Sequence, residues 1–510
     1  MPKVAKGNGK QRMAAVTDDF ARKCEIKHND MLGRFVVALC NLRAGETLLL
    51  ENPIVVLPQM GDRRCSKCFN LTESFCRKCR LLALCEDCSY HDERDCKRLA
   101  EMNFSDDQVE LLQKKEHTEI QPVLKCLLLR EHEETLPLYE EMSQMESQLM
   151  TRRGTDIWKN YQEHAFTPLN SGGVLAQLRG AADEDLVQGL LGILDINAYE
   201  IRAPEVGGAM RGLYSRAGLF AHSCMPNLVI SIDDERRIKV YANRFIAAGE
   251  ILYNCYTNVL LGTEERRQIL KEGKCFDCSC PRCQDPTELG THMSSFICSH
   301  CSCADGYIVR QPDTGIWQCL LNPEHTLKQE FVSNMLERAK EEIFHARDDI
   351  YRQELLLAKL SRLLHRNHFL MLDLKQNIAS ILRQILQNIG TRPNKKVYER
   401  KIRLCQEILL VLKVVTPGIS ILKAIALYEL ANTQAELARK MYTEMENSAN
   451  DLLAELERVE VMLRESLRML LFEPLATPEG QLTRSMLREL KDLQDDIKNL
   501  RESDDDVVNQ

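Results

Sequence analysis

Apolar and polar positions change their period several times along the chain. Residues 24–57 alternate apolar residues with turn residues, as in GRFVVALCNLRAGETLLLENPIVVLP. That pattern predicts short strands joined by a Gly-containing turn. A cysteine-dense segment with almost no apolar core of its own follows at 65–96. The period then becomes helical. Ile120, Val123, Leu124, Leu127 and Leu128 recur at i, i+3, i+4, i+7 and i+8, with Pro122 near the start. Helical and polar sequence continues to about 195. Residues 207–258 return to strand and turn in NLVISID, RIKVYANRFI and GEILYNCY, and a second cysteine-dense zone runs from 275 to 319. From about 326 onward the chain reads as helix. Leu452, Leu456, Val459, Leu463 and Leu467 form an apolar stripe that predicts packing. Breaks at Gly390–Pro393, Pro417–Gly418 and Pro474 divide this region into helix pairs. No strict 34-residue repeat is legible, so the expectation is a degenerate helical-hairpin array. The end, ESDDDVVNQ, reads as a disordered acidic tail.

Length changes this picture only by setting a prior of two to four domains for 510 residues. With 44% hydrophobic and 28% charged residues the chain should be globular and soluble. No apolar run approaches the roughly 18–20 residues a membrane span needs. The N-terminus, MPKVAKGNGKQRM, has no hydrophobic stretch after its lysines and is not expected to be a secretory signal. Lys3, Lys6, Lys10 and Arg12 read as part of a solvated tail, with a weak nuclear address as the other reading. A net charge of −8 argues against a nucleic-acid binder and suits basic partners such as lysine-rich tails.

Cysteine changes the picture most. Of 21 cysteines, seven lie between 65 and 96 and eight between 275 and 319. Clustering of this kind, without a signal peptide, points to metal or catalysis and away from disulfides. Residues 65–96 hold three C-x2-C pairs, Cys65/Cys68, Cys76/Cys79 and Cys85/Cys88, followed by His91 and Cys96. Eight such ligands fit two tetrahedral zinc sites, which would hold together a segment that lacks a core. The segment resembles a MYND zinc finger. That resemblance implies cross-braced ligation, with Cys65, Cys68, Cys85 and Cys88 on one ion and Cys76, Cys79, His91 and Cys96 on the other. It also implies binding of proline-rich peptides on partner proteins. The match departs at its end, where two and four residues stand in intervals that usually hold three each, and His91 follows Cys88 closely.

Cys224, in GLFAHSCMPNLVI, has no partner close in sequence. It reads either as a small buried hydrophobe or as the fourth ligand to Cys278, Cys280 and Cys283, which stand in a C-x-C-x2-C spacing in FDCSCPRC. HSCMPN, then GEILYNCY, then CFDCSCPRC resemble the end of a SET domain with its post-SET zinc loop, in which that motif cysteine completes the zinc site. With a MYND finger inserted after the first strands and a helical C-terminal domain, residues 24–500 resemble the SMYD-type protein lysine methyltransferases. GILDINAYEI and LLGTEERRQIL are most like an arthropod branch. The implied fold is α+β: a β-rich SET domain with an inserted MYND finger, a post-SET zinc loop and a C-terminal all-α helical-hairpin (TPR-like) domain. The expected boundaries are a disordered tail at 1–20, SET strands at 21–62, the finger at 63–97, a helical insert at 98–190, the SET core at 191–258, the post-SET region at 259–325, the helical domain at 326–500 and the acidic tail at 501–510.

The resemblance implies methyl transfer from S-adenosylmethionine to a lysine of a histone or non-histone protein, in nucleus and cytoplasm, with no direct nucleic-acid or membrane partner. The alternative is a weak or inactive adaptor, a transcriptional co-regulator that keeps the SET fold as scaffold. Tyr256 occupies the position of the family's catalytic tyrosine, and Tyr253 competes for that role on residue type alone. Gly33, Arg34, Asn197, Ala221, His222, Tyr256 and Phe276 match cofactor-facing positions, with core packing as the other reading of Phe276. Asn227 is expected to brace the crossing of chain segments. Two departures count against activity. Ala221 replaces the usual Asn, and Lys274 stands where many members have a channel aromatic, so that its charge would repel a sulfonium unless it points to solvent. Three zinc ions are expected. A fourth, near Cys298 and Cys301, could draw on Cys303, Cys319 and His325, although Asn322 stands where a second C-x2-C would need its cysteine.

Overall fold

A computed structural model describes residues 19–180, 182–205, 207–301, 305–388, 393–475 and 477–508. Strands β1 (Cys24–Asn29) and β2 (Gly33–Ala38) form an antiparallel hairpin with Asn29 opposite Gly33. The turn is local chemistry. The Asn29 carboxamide oxygen accepts from the amides of Met31 and Leu32 at 3.0 and 2.7 Å, and Gly33 takes a φ of 64° that favours glycine. Strands β3 (Thr47–Glu51) and β4 (Val55–Pro58) complete the first part of the β-rich core.

The chain then leaves the core until Tyr199. This insertion holds both the first cysteine-dense segment and a set of helices, among them α1 (Glu93–Ala100), α2 (Ile120–Leu128) and α3 (Glu184–Asn197). The apolar periodicity of α2 is realised: Ile120, Val123, Leu124, Leu127 and Leu128 are all buried in one cluster with Leu190 and Leu191 of α3.

Strands β5 (Tyr199–Arg202), β6 (Ala209–Leu213), β7 (Ala221–His222), β8 (Leu228–Ile232), β9 (Ile238–Ala242) and β10 (Tyr253–Asn254) return to the core. The sheets join the two halves. One has the order β4-β6-β5, another β3-β9-β8, and β7 and β10 form a short parallel pair. Val36, Leu48, Leu49, Met210, Phe220, Leu228 and Val240 are buried together between them. Helix α4 (Thr263–Lys274) leads into the second cysteine-dense zone, which holds four short strands, β11 (Phe296–Ile297), β12 (Tyr307–Arg310), β13 (Trp317–Cys319) and β14 (Thr326–Leu327), in sequential order.

Seven helices follow among the described residues: α5 (Gln329–Ala346), α6 (Ile350–Leu360), α7 (Phe369–Gln387), α8 (Lys395–Val415), α9 (Ile421–Thr443), α10 (Ala449–Leu470) and α11 (Pro478–Val508). Each packs on the next in sequence. The Leu452–Leu467 stripe is buried throughout. The break at Pro417–Gly418 separates α8 from α9 and the one at Pro474 separates α10 from α11, whereas the break expected at Gly390–Pro393 lies mostly outside the described residues. The array is seated on the β-core. The Ile419 amide donates to the Asn243 carbonyl at 2.7 Å, and a Cβ at Gly418 would meet that carbonyl oxygen at 2.2 Å. Phe472 stacks on Tyr241, and Glu473 accepts from Ser231 and Tyr241.

Both ends depart from expectation where they are described. Residues 19–23 are helical, and the rest of the expected tail, 1–18, lies outside the described residues. At the other end α11 continues to Val508, so the backbone of the acidic segment at 501–508 extends the preceding amphipathic helix.

Candidate active site and metal centres

The twelve expected metal ligands gather into three groups of four: Cys65, Cys68, Cys85 and Cys88; Cys76, Cys79, His91 and Cys96; and Cys224, Cys278, Cys280 and Cys283. Within each group all ligand atoms lie within 4.8 Å of one another. A tetrahedral zinc with Zn–S near 2.3 Å and Zn–N near 2.0 Å sets its ligand atoms about 3.8 Å apart for two sulfurs and about 3.5 Å for sulfur and nitrogen. The observed separations are 3.5 Å for Cys68–Cys85, 3.7 Å for Cys76–Cys96, 3.3 Å for Cys79 to His91 Nε2 and 3.5 Å for Cys224–Cys283. The residues therefore fit zinc.

Local structure explains the spacings. In the first two C-x2-C pairs the residue after the second cysteine, Phe69 or Arg80, has positive φ. Its amide folds back to the carbonyl of the first cysteine, Cys65 or Cys76, at 3.0 and 2.8 Å. The four residues between His91 and Cys96 contain a helix start. The Asp92 carboxylate accepts from the Arg94 and Asp95 amides, and the first turn of α1 carries Cys96 back over His91.

The third group couples to the β7–β10 crossing. Asn227 braces it as expected: its Oδ1 accepts from the Tyr253 amide at 2.7 Å and its Nδ2 donates to the Ile251 carbonyl at 2.8 Å. His222 is buried, and burial lowers its pKa to about 4, so it is neutral near pH 7. Its Nδ1 accepts from the Tyr256 amide at 3.0 Å. The ring proton therefore sits on Nε2, which lies 3.4 Å from the Cys224 sulfur and donates to it. One histidine ties the tyrosine segment to the metal ligand.

The two tyrosines separate clearly. The Tyr253 ring packs with Leu32, Phe35, Val37, Ala221 and Ile251. Tyr256 packs on the Cys224 cluster beside Phe276, and its hydroxyl donates to the Phe220 carbonyl at 2.5 Å. Burial raises its pKa, so the phenol stays protonated. Phe276 and Tyr256 both lie against His222, with ring centroids 5.8 and 5.2 Å away. Asn197 ends α3, and its Nδ2 donates to the carbonyls of Ile193 and Glu146 at 2.8 Å each. The Asn197 side-chain oxygen lies beside Gly218 and accepts no hydrogen bond among the described residues. A Cβ at Gly33 would meet nothing within 4 Å, and the exposed Arg34 donates to the Gln144 carbonyl, linking hairpin and insertion.

Lys274 does not point to solvent. Its ammonium donates to the carbonyls of Asp195 and Ile196 at 2.9 and 2.7 Å, capping the C-terminal end of α3, and lies 5.9 Å from the centroid of the Tyr256 ring. Burial lowers its pKa.

Motif reasoning missed a further set of residues. Arg266 is fully buried, and all five of its guanidinium N–H groups are matched: to the Leu261 carbonyl, Glu288, the Thr263 hydroxyl and the sulfurs of Cys224 and Cys283, the last two at 3.2 and 3.6 Å. Glu288, 1% exposed, also accepts from Arg282, which stands between Cys280 and Cys283. A buried cation on a thiolate cluster offsets the formal charge of −2 left by four thiolates and one Zn²⁺. The available signal was an arginine inside a ligand spacing and a pair of arginines, Arg266 and Arg267, one turn into a helix.

Residues 33–257 match the family model described as SET domain. The chain is 27% identical over 318 residues to the SET domain-containing protein SmydA-8, isoform B, of Drosophila melanogaster, covering 58% of this chain and 65% of that one. It is 27% identical over 267 residues to the histone-lysine N-methyltransferase SMYD3 of Mus musculus, covering 49% and 59%. The chain thus spans somewhat less than two thirds of each relative's length. A solved SET domain of LSMT bound to lysine and AdoHcy aligns with 77% of this chain and 88% of that one at 12% identity and a TM-score of 0.30. With a SET-domain match over residues 33–257 interrupted by paired Cys/His clusters, a four-cysteine cluster after it and a helical array at its end, the chain is similar to SET-domain proteins of the SMYD type.

Proposed function

We propose that this chain is a protein-lysine N-methyltransferase that uses S-adenosylmethionine, acting on a lysine of a histone or non-histone protein. The observation that carries it is the Tyr256 hydroxyl, fixed on the Phe220 carbonyl within a segment held by His222 and the Cys224 cluster. In the SET arrangement this is the tyrosine at the end of the lysine channel.

When bound, S-adenosylmethionine supplies an electrophilic methyl group on a sulfonium. Gly33, Arg34, Asn197, Ala221, His222 and Phe276 would hold it. The site fits the group in one respect: Asn197 has its amide hydrogens committed and offers an oxygen acceptor. The attacking amine must be neutral, yet free lysine has a pKa of about 10.4. Burial beside aromatic rings and a nearby cation both favour loss of its proton. Tyr256 and the carbonyls of the 217–222 segment would then orient the amine and exclude water, so that alignment supplies most of the rate. Three zinc ions on the twelve ligands would serve structure, and a proline-rich peptide on a partner protein would dock on the finger. Nucleus and cytoplasm are the proposed locations.

Ala221 and the closeness of Lys274 to Tyr256 favour the adaptor as the second reading. Labelled S-adenosylmethionine with a cell lysate separates the two. Label on protein lysines, lost in Tyr256→Phe, supports the enzyme. Cofactor binding without any transfer by the wild type supports the adaptor.

A further inference from the structure

The four short strands β11–β14 carry a cluster that the proposed chemistry does not use. Cys298 and Cys301 follow β11, Cys319 ends β13 and His325 precedes β14. Their ligand atoms lie within 4.8 Å of one another. His325 Nδ1 is 3.5 Å from both the Cys298 and Cys301 sulfurs, and the Cys301 and Cys319 sulfurs are 3.6 Å apart. Those are the edges of a tetrahedron around zinc, about 3.5 Å for S and N and about 3.8 Å for two sulfurs. A disulfide needs sulfurs about 2.05 Å apart and would leave the imidazole without a role.

A second observation is steric. Gly306 lies directly under the Cys298–Cys301 turn, where a Cβ would meet the Cys301 Cβ at 2.5 Å. The Gly306 carbonyl accepts from the Cys298 amide at 2.8 Å. On the other side the Cys319 amide donates to the His325 carbonyl at 2.9 Å, so two tight turns face each other across the sulfurs. Asn322, standing where a second C-x2-C would place its cysteine, instead lies with its Nδ2 3.3 Å from the outer ring nitrogen of His325, whose Nδ1 faces the sulfurs.

We propose that Cys298, Cys301, Cys319 and His325 hold a fourth, structural zinc ion, independent of the methyltransferase reading. Three thiolates and one imidazole in a closed tetrahedron select zinc and leave no open position for catalysis. Its place in the fold assigns its work. The sheet is joined to the connection between α6 and α7: the Ile297 amide donates to the Leu363 carbonyl at 2.8 Å, the His365 amide to Ser295 at 3.0 Å and the Phe369 amide to Met293 at 2.9 Å. Trp317 donates from its indole to Gln329 at the start of α5 and packs edge-on against Phe296. The ion rivets the post-SET segment to the first helices of the C-terminal array, and its binding energy becomes folding energy of that seam.

Elemental analysis and native mass spectrometry of the full chain test this. Four zinc ions are expected in the wild type, three in Cys319→Ser and four again in His325→Cys, which restores a complete ligand set. Three in the wild type and no change in Cys319→Ser would overturn the proposal. A test that needs no variant uses alkylation of the native protein. The half-buried Cys301 should be protected until a chelator is added, while the exposed Cys40 reacts at once. Alkylation of Cys301 without chelator, at the rate of Cys40, equally sinks the idea.

Discussion

Replacing Arg266 by lysine keeps the charge and removes the geometry. The guanidinium answers five acceptors, whereas an ammonium has three hydrogens on one nitrogen and leaves at least two acceptors unmet. Each buried acceptor left without a donor costs about 1–3 kcal/mol, so the substitution should cost about 2–6 kcal/mol locally. The loss does not spread evenly. Glu288 keeps Arg282 at 2.8 Å, but the Cys224 and Cys283 sulfurs lose the cation that donates to them. Removing a partner of this kind typically weakens metal binding 10–100-fold. Zinc release to a competing chelator, followed by colour, should show one ion leaving 10–100-fold more readily in Arg266→Lys. The ions of the 65–96 segment, remote from Arg266, should hold as before. Because His222 links Cys224 to Tyr256, S-adenosylmethionine affinity should fall with the same ion. An unchanged release profile together with unchanged cofactor affinity would refute the coupling.

Tyr256→Phe should keep zinc and cofactor and lose most methyl transfer, since one hydroxyl goes and little volume changes; Tyr253→Phe, whose ring packs elsewhere, is the control, and equal losses in steady-state kinetics would count against the assignment. Cys224→Ser should lose one zinc by elemental analysis and most cofactor affinity by calorimetry in the same step. Lys274→Tyr, which would restore the usual channel aromatic, should instead cost about 1–3 kcal/mol in denaturant melts, because the carbonyls of Asp195 and Ile196 lose their donor. Acid should loosen the seam near His368: burial holds its pKa at about 3 against an ordinary 6.5, so the unfolded state binds the proton first and stability is lost from pH 6.5 downward, by about 1.4 kcal/mol per pH unit. His368→Asn keeps an N-cap on α7 and should flatten that slope, read as hydrogen exchange of the 291–297 amides between pH 7 and 5.

Cysteine spacing made the eight ligands of residues 65–96 legible, because ligands within one short segment can be counted without knowing the fold, whereas their division between two ions came from the resemblance to a MYND finger. Cys224 was legible only through its motif, since its partners stand more than fifty residues away. The same logic shows why Arg266 was invisible: an arginine on a polar helix reads as solvated, and only the packing of α4 on the Cys224 cluster removes it from water. Lys274 was located correctly in sequence but not in direction, because the carbonyls that attract it belong to α3, in a different part of the chain. The fourth cluster was obscured by reading Asn322 as a missing cysteine. Of the five candidates Cys298, Cys301, Cys303, Cys319 and His325, the fold gathers four, His325 among them, and Cys303 lies outside the described residues. The helical end of the chain was missed because the acidic run suggested solvation, whereas the apolar positions Met486, Leu490, Leu493 and Ile497 buried on α10 carry the helix past it.

Strands β4 and β6 are neighbours in one sheet, with Leu57 opposite Arg211, yet an insertion of roughly 140 residues separates the two halves of the core. An unfolded connection of that length makes pairing entropically slow. A folded insertion changes the distance to be searched: Arg211 on β6 meets Glu119 in the insertion and the Pro58 carbonyl at its entrance, which brings the exit of the excursion back beside its start. Assembly of the central sheet therefore follows the maturation of its guest. During synthesis the finger and its helices emerge before β5–β10 exist, and in a nascent chain starved of zinc β6 would have to find the β4 edge across a longer unfolded connection. Zinc bound early would then raise the yield of folded protein before it bears on any finished molecule, by shortening that search.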